Sequence, residues 1–336
     1  MNVISPKISV LMPVYNSELY IRDAVDSILN QTFSDFEFII IDDASTDKSV
    51  EIIQSYSDPR IQLIVKPKNS GYTDSLNYAL TIAKGEYIAR MDSDDISLPT
   101  RFEKQIEVLQ KNNEVVVCGT WIAVFGNNME SYIFEAPQNS TEIKLTFLSY
   151  DCIAHPSVMF RKSCMENLEY KKEFVPAEDY KLWSEIIINH DFHIIQEPLV
   201  RYRQHEKNIS KTKADNLAIS DLKIKTDLFQ KIFGLQDGDF DYKKLVHLFD
   251  FLGYRKKLSK PELLEFFEMI KKIVAINDEK NIFPQAMFQK RMEELINKPF
   301  VYSKTTQLVV FELKQKFPNE FKLLSKKSLF KKLIKF

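Results

Sequence analysis

Three carboxylates, Asp92, Asp94 and Asp95, crowd four positions in "YIARMDSDDISLP" (Tyr87 to Pro99), directly after an apolar run with the character of a buried strand. Like charges this close repel one another and resist desolvation, so packing alone does not favour them. A solvated turn or a helix cap tolerates such a cluster, because Asp and Ser are common ahead of helices. A hard divalent cation resolves the repulsion in another way. Carboxylate oxygens suit Mg²⁺ or Mn²⁺, which keep positions open for water and phosphate. The Asp-x-Asp spacing lets two side chains of one turn reach one ion or its water shell, and the expected positive object is a metal carrying a diphosphate.

Four more groups have types and spacings that fit chemistry. Asp42-Asp43 closes a second apolar run; one acid there can accept from a base N–H or a ribose hydroxyl, while "DASTD" also suits an Asx-turn or cap. Gly71, at a helix start in "KNSGYTDSLNYAL", permits close backbone approach near a terminus that favours anions, or simply serves the turn. Glu178 and Asp179 in "AEDYKLW" open a helical run. Read locally they are acids that favour a helix N-terminus; the alternative is a general base taking a hydroxyl proton. Tyr202, Arg203 and His205 in "YRQHEKNIS" follow the last strand-like run, where a cation and an imidazole suit a diphosphate or a metal site; a lone histidine is otherwise structural.

The elements that must position these groups alternate. Strand-like runs at Ile8–Val14, Phe36–Asp42, Ile61–Lys66 and Glu86–Asp92 are each followed by a helical period, the first with Ser17 as the expected N-cap. Near-continuous apolar strands alternating with amphipathic helices predict an α/β fold, a mostly parallel sheet flanked by helices. Ligands of such sheets bind at the carboxyl ends of the strands. Those ends read Pro13-Val14-Tyr15-Asn16, Asp42-Asp43-Ala44-Ser45 and Asp92-Ser93-Asp94-Asp95. Strand and helix signals continue in mixed order to about 205. After 208–215 Lys-rich helical periods dominate, so a helical C-terminal region over 211–336 is expected beyond a first domain at 1–210.

Formal net charge is −1 over 336 residues, so the chain is no electrostatic nucleic-acid binder. Its three cysteines lack metal-ligand spacing and suit a reduced, cytoplasmic setting. No apolar run approaches the roughly 18 residues of a membrane span, and the N-terminus reads as a first strand instead of a leader. Neither a G-x-G-x-x-G turn nor a P-loop is present.

Taken together, "SVLMPVYN", "QTFSDFEFIIIDDASTD", "KNSGYTDSLNYAL", "GEYIARMDSDD", "AEDYKLW" and "YRQH", in this order over about 7–210, resemble the inverting, nucleotide-sugar-dependent glycosyltransferases of family two. The wording is similar to that of bacterial β-1,3-N-acetylglucosaminyltransferases that extend galactose in lipooligosaccharide or capsule. The resemblance implies a GT-A (Rossmann-like) fold, a UDP-sugar donor, Mn²⁺ (or Mg²⁺) and a glycan or glycolipid acceptor. At matching positions it implies that Pro13, Tyr15, Asn16, Asp43, Asn69 and Gly71 hold the nucleotide. Asp92 and Asp94 would handle metal and diphosphate, with Asp95 in support. Asp179 matches the catalytic base, Glu178 its supporting acid, and Arg203 with His205 would approach the diphosphate and metal. Where many relatives read "DDGS" this chain reads "DDAS", so Ala44 must accept a backbone geometry often given to glycine.

Two rivals are weaker. A phosphate-switched receiver domain carries its acids after the first strand, where this chain has Val14-Tyr15-Asn16. A catalytically silent sugar-nucleotide scaffold need not keep Asp92, Asp94 and Asp179 together.

The segment "FKLLSKKSLFKKLIKF" (321–336) has six lysines, no acid, and apolar residues at helical spacing. It fits a basic amphipathic helix on anionic lipid at the inner membrane face, or a terminal helix packed on its own domain. Flotation with anionic liposomes separates the two. The lipid reading expects a chain truncated before Phe321 to lose flotation, and equal flotation of both forms removes it.

Overall fold

The computed structural model describes residues 5–127, 129–206, 208–209, 213–236 and 260–297. The basic segment 321–336 lies outside the described residues, as does part of the region beyond 211. Two compact units divide the chain: residues 1–147 with 151–224, and residues 148–150 with 225–336.

The first unit begins with β1 (Ile8–Val14), β2 (Phe36–Asp42), β3 (Ile61–Val65) and β4 (Tyr87–Arg90), linked by helices α1 (Ile21–Leu29), α2 (Ser49–Gln54) and α3 (Tyr72–Ile82). These strands are parallel in the order β3-β2-β1-β4. Apart from Glu37, every residue of β1, β2 and β4 is buried, which is why they read as continuous apolar runs. Val10, Met12, Phe38 and Ile40 meet Ile21, Val25 and Ile28 of α1 in the main core. Next come β5 (Ile96–Ser97), α4 (Arg101–Lys111), β6 (Val115–Gly126), β7 (Tyr132–Phe134), α5 (Ser140–Phe147), β8 (Met159–Arg161), α6 (Glu178–Ile186) and β9 (Asp191–Gln204). Here β8 is antiparallel to both β4 and β6, β9 is parallel to β6, and β5 is antiparallel to β9. The α/β sheet expected from the sequence is present, parallel over its first four strands and mixed beyond them.

Two local features aim the strand ends. Gly85 precedes β4 where a Cβ would lie 2.5 Å from the Ser9 backbone nitrogen, so only glycine lets β4 start this close to β1. Pro13 lies on the β4 side of β1, by the alternation in which the Leu11 carbonyl accepts from Met91 and the Val14 carbonyl from Asp43. The β1–β4 ladder has ended at Leu11, so the missing proline N–H leaves no ladder position empty. The Ser17 cap is not observed. Helix α1 starts at Ile21, after a turn in which the Ser17 carbonyl accepts from the Tyr20 and Ile21 amides. The Ser17 hydroxyl is instead 2.7 Å from Ser93 Oγ, bound across to the acidic turn.

Helix α7 (Ala214–Phe233) continues into the second unit, which also holds α8 (Lys260–Lys280) and α9 (Gln285–Asn297). Its own core gathers Phe229, Phe233, Phe283 and Phe288, with ring centroids 5.5–6.2 Å apart in the pairs formed. The Asn277 side chain clips both the amide and the carbonyl of Phe283. No helix among the described residues is long and apolar enough to cross a membrane.

Ala44 adopts φ +62°, the geometry anticipated from "DDAS". The left-handed conformation costs an L-residue about 1–2 kcal/mol, against about 0.5–1 kcal/mol of extra chain entropy lost by glycine. Ala44→Gly is therefore expected to stabilise the fold by roughly 0.5–1 kcal/mol. A higher urea midpoint with an unchanged slope is the measurement; a lower midpoint contradicts it.

Candidate active site

The carboxyl ends of β1, β2 and β4 converge as expected, and the two acids at the end of β2 do different work. Asp42 Oδ1 accepts the Ser45 amide at 2.9 Å and closes the turn after the strand. Asp43, 2% exposed, accepts the Ser70 amide at 3.0 Å and the Gly71 amide at 2.7 Å, and pairs with Lys66 Nζ at 2.7 Å. Burial pushes its carboxyl upward, but Lys66 and the two amides outweigh that and hold it below the ordinary carboxylate range. Asp43 thereby pins the loop that carries exposed Asn69 and Gly71. Gly71 has φ +94°, and a Cβ built there meets nothing within 4 Å, so open space lies over this backbone. Across from it, Tyr15 is half exposed, and Asn16 Oδ1 accepts the Thr46 amide at 2.8 Å.

Asp92, Asp94 and Asp95 each bring a carboxylate oxygen within 4.8 Å of the other two. Strand β9 clamps this turn from the side. Ile96 and Ser97 pair with Arg201 and Val200, so Arg203 and His205 arrive beside the acids. The Arg203 amide donates to Asp95 Oδ1 at 2.7 Å, and its Nε to the Asp94 carbonyl at 2.8 Å. His205 Nε2 lies 2.8 Å from Asp94 Oδ2, with the ring stacked on Tyr20 at 5.1 Å. Beneath the turn are two cations. Arg90, 2% exposed, pairs with Asp92 Oδ1 at 2.6 Å; fully buried Arg101 donates to the Arg90 carbonyl at 3.1 Å and the Pro156 carbonyl at 2.7 Å. Burial drives the Arg101 guanidinium down to about 9, opposed by Asp95.

Asp95 is wholly buried, and its Oδ2 has no hydrogen-bond partner. Burial, with the neighbouring charges of Asp94 and Asp92, raises its carboxyl well above the ordinary range. Burial and Asp94 also raise Asp92 despite Arg90. An orphaned carboxylate oxygen within a crowded all-oxygen donor set fits a hard divalent cation.

Glu178 and Asp179 open α6 on another side of the same edge. Glu178 is 3% exposed and accepts the Tyr72 hydroxyl at 2.7 Å, joining α6 to the residue after Gly71. Burial, then the adjacent Asp179 charge, push Glu178 up to about 8. Burial pushes Asp179 up to about 6; the Asp92 charge adds to this, and its own helix amides and Arg90 oppose it. Burial raises both carboxyls above the ordinary range, Glu178 further than Asp179. Trp121 keeps its indole N–H on the Ala136 carbonyl at 2.9 Å.

The structure thus brings together Asp92, Asp94, Asp95, Arg203 and His205, and joins Asp43 to Gly71. It adds partners that the sequence reading passed over: Lys66, Tyr72, Arg90 and Arg101. Of these Arg90 carried a visible signal, a cation ending an apolar strand in "YIAR".

Residues 9–168 match the family model described as glycosyl transferase family 2. An uncharacterized glycosyltransferase of Methanocaldococcus jannaschii is 36% identical over 211 residues, covering 59% of this chain and 71% of that protein. The chain belongs to glycosyl transferase family 2. It is a sugar-nucleotide-dependent glycosyltransferase. An Escherichia coli family member named UDP-Glc:alpha-D-GlcNAc-diphosphoundecaprenol beta-1,3-glucosyltransferase is 30% identical over 249 residues, 74% of this glycosyltransferase and 91% of that enzyme. The fold matches that of Staphylococcus aureus TarS, solved in complex with UDP-GlcNAc, at a TM-score of 0.57 and 19% identity over 94% of this chain and 90% of that one.

The raised Glu178 makes a stability test. Its folded pKa lies above its unfolded value, so its burial is tolerated while protonated and opposes folding increasingly as pH rises toward about 8. Glu178→Gln, neutral throughout, is expected to gain at least about 1 kcal/mol on the parent chain between pH 5 and pH 9. Urea unfolding at both pH values measures it; a difference independent of pH contradicts it.

Proposed function

We propose that this glycosyltransferase moves a sugar from a UDP-sugar onto a hydroxyl of a glycan or glycolipid acceptor, inverting the anomeric centre. The best single reading of the specificity is N-acetylglucosamine added β-1,3 to a galactose-terminated surface glycan such as lipooligosaccharide or capsule. UDP-glucose is the second reading, favoured by the name of the E. coli relative that aligns over 91% of its length. Action at the inner face of the membrane is part of this reading. The observation that carries the proposal is the cluster of Asp92, Asp94 and Asp95 at the end of β4, with the loop pinned by Asp43 tied through Tyr72 to the Glu178–Asp179 pair.

Each set has its own task. The half-exposed Tyr15 ring, Pro13 and Asn16 line one side of the uridine, with Asn69 and the open backbone of Gly71 on the other. Asp43 has one Oδ2 lone pair left beyond the Gly71 amide and is suited to a base N–H. Asp92 and Asp94 would hold Mn²⁺ (or Mg²⁺), with Asp95 Oδ2 as the supporting oxygen and His205, just past the end of β9, completing the donors. When bound, the ion neutralises charge growing on the diphosphate. Arg203 adds a fixed cation beside it.

Asp179, the acid with the lower pKa of its pair, takes the proton of the acceptor hydroxyl onto a carboxylate oxygen. The acceptor oxygen then bonds to the anomeric carbon from the face opposite the UDP. The bond from that carbon to the diphosphate oxygen breaks, its electron pair leaving with UDP. Glu178, held by Tyr72, keeps its proton and spares Asp179 a second charge alongside.

A screen of UDP-, GDP- and dTDP-sugars is expected to give UDP release with UDP-N-acetylglucosamine or UDP-glucose, abolished by EDTA. Asp179→Asn should bind UDP as before and lose transfer by about 10²–10⁴-fold. Undiminished turnover in that variant would remove Asp179 as the base.

A further inference from the structure

His155 stands outside every role given so far, yet it is buried against the base. It lies in a short 3-10 turn (His155–Ser157) that leads into β8, with its ring edge-on to Trp183 at 6.1 Å. Its Nε2 is 3.0 Å from the Tyr170 hydroxyl, and its Nδ1 is 3.9 Å from Asp179 Oδ2. The other Asp179 oxygen, Oδ1, accepts the Tyr180 amide at 2.8 Å. Each oxygen of the carboxylate therefore faces a nitrogen, one at bonding distance and one just beyond it.

We propose that His155 is the positioning residue of Asp179: Tyr170 donates its hydroxyl proton to Nε2, which fixes the tautomer in which Nδ1–H is aimed at Asp179 Oδ2. Electrostatics select this arrangement. The opposite tautomer would turn the Nδ1 lone pair toward a carboxylate, whereas Nδ1–H meets it with a positive edge. Burial and then the Arg90 charge hold His155 well below its ordinary value, which favours the neutral ring. A neutral donor orients the base without cancelling its charge, so the carboxylate remains able to take a proton. A distance of 3.9 Å suits a resting state, since such contacts tighten when substrate fills the site. The inference rests on Asp179 being the base. The other groups around Asp179 are Glu178 on its own helix, Arg90 and Asp92 from the end of β4, Asp151 from the loop before His155, Tyr72 of α3 and Tyr170. None of these aims a neutral N–H at the carboxylate.

The test uses two amides that separate the nitrogens. Asn places its amide nitrogen where Nδ1 stands, whereas Gln places it near Nε2. His155→Gln is expected to move the acidic limb of the kcat/KM–pH profile upward by about one unit and to lower kcat roughly tenfold at pH 7. Its KM for the UDP-sugar and its affinity for UDP should stay unchanged, which also reports an intact fold. His155→Asn should retain the parent profile, and Tyr170→Phe should shift it partway. Equal losses in the Asn and Gln variants would reduce His155 to packing, and profiles superimposable on the parent would overturn the proposal. Asp179→Asn is measured alongside. If it retains transfer, the base assignment itself has failed; if it loses transfer while His155→Gln matches the parent, only the role of His155 has.

Discussion

A guanidinium buried at the last residue of β4 is what the rest of the site depends on. Arg90 sits among Asp92, Glu178 and Asp179, pairs directly with the first, and is 2% exposed. Without a cation here, acids at the end of an apolar strand would be desolvated against one another. A buried ion pair adds little net stability, yet breaking one by removing a partner typically costs about 3–5 kcal/mol. Arg101 props Arg90 from below through its carbonyl. This layering lets a fold with a dry sheet present several carboxylates at one edge.

The opposite side of the edge is organised by the same means with the signs exchanged. There a single carboxylate, Asp43, gathers two backbone amides and a lysine. Charge-assisted bonds of this kind are stronger than neutral ones, so one side chain fixes the shape of a whole loop. The Tyr72 hydroxyl then carries that fixed loop across to Glu178. The loop after β3 and the acid pair of α6 are thereby joined through hydrogen bonds.

The parts of this arrangement with a local period were legible in the sequence. Strands β1 to β4, their crossover helices and the acidic strand ends follow from runs of apolar residues and where they stop. Asp92, Asp94, Arg203 and His205 could be gathered because a parallel sheet sends its carboxyl ends to one edge. Ser17 was misread because its hydroxyl had a choice between a helix amide nearby and Ser93 far along the chain, and local pattern sees only the first. Lys66, Tyr72 and His155 escaped for a related reason. Each is ordinary in its own segment and gains meaning only from a partner in another. The short β5 and the helix α5 were missed because two residues, or eight of weak amphipathicity, carry little periodic signal.

Tyr72 and Glu178 are 106 residues apart in sequence, Asp95 and Arg203 108, and Asp94 and His205 111. Contacts closed over loops this long are secured only after the intervening chain has found its place. The Asp43 loop and the acidic turn, by contrast, belong to the first hundred residues and can be assembled from nearby strands. The bond between Tyr72 and Glu178 instead closes a long loop, so the loop after β3 and the start of α6 are held together only at a high cost in chain entropy.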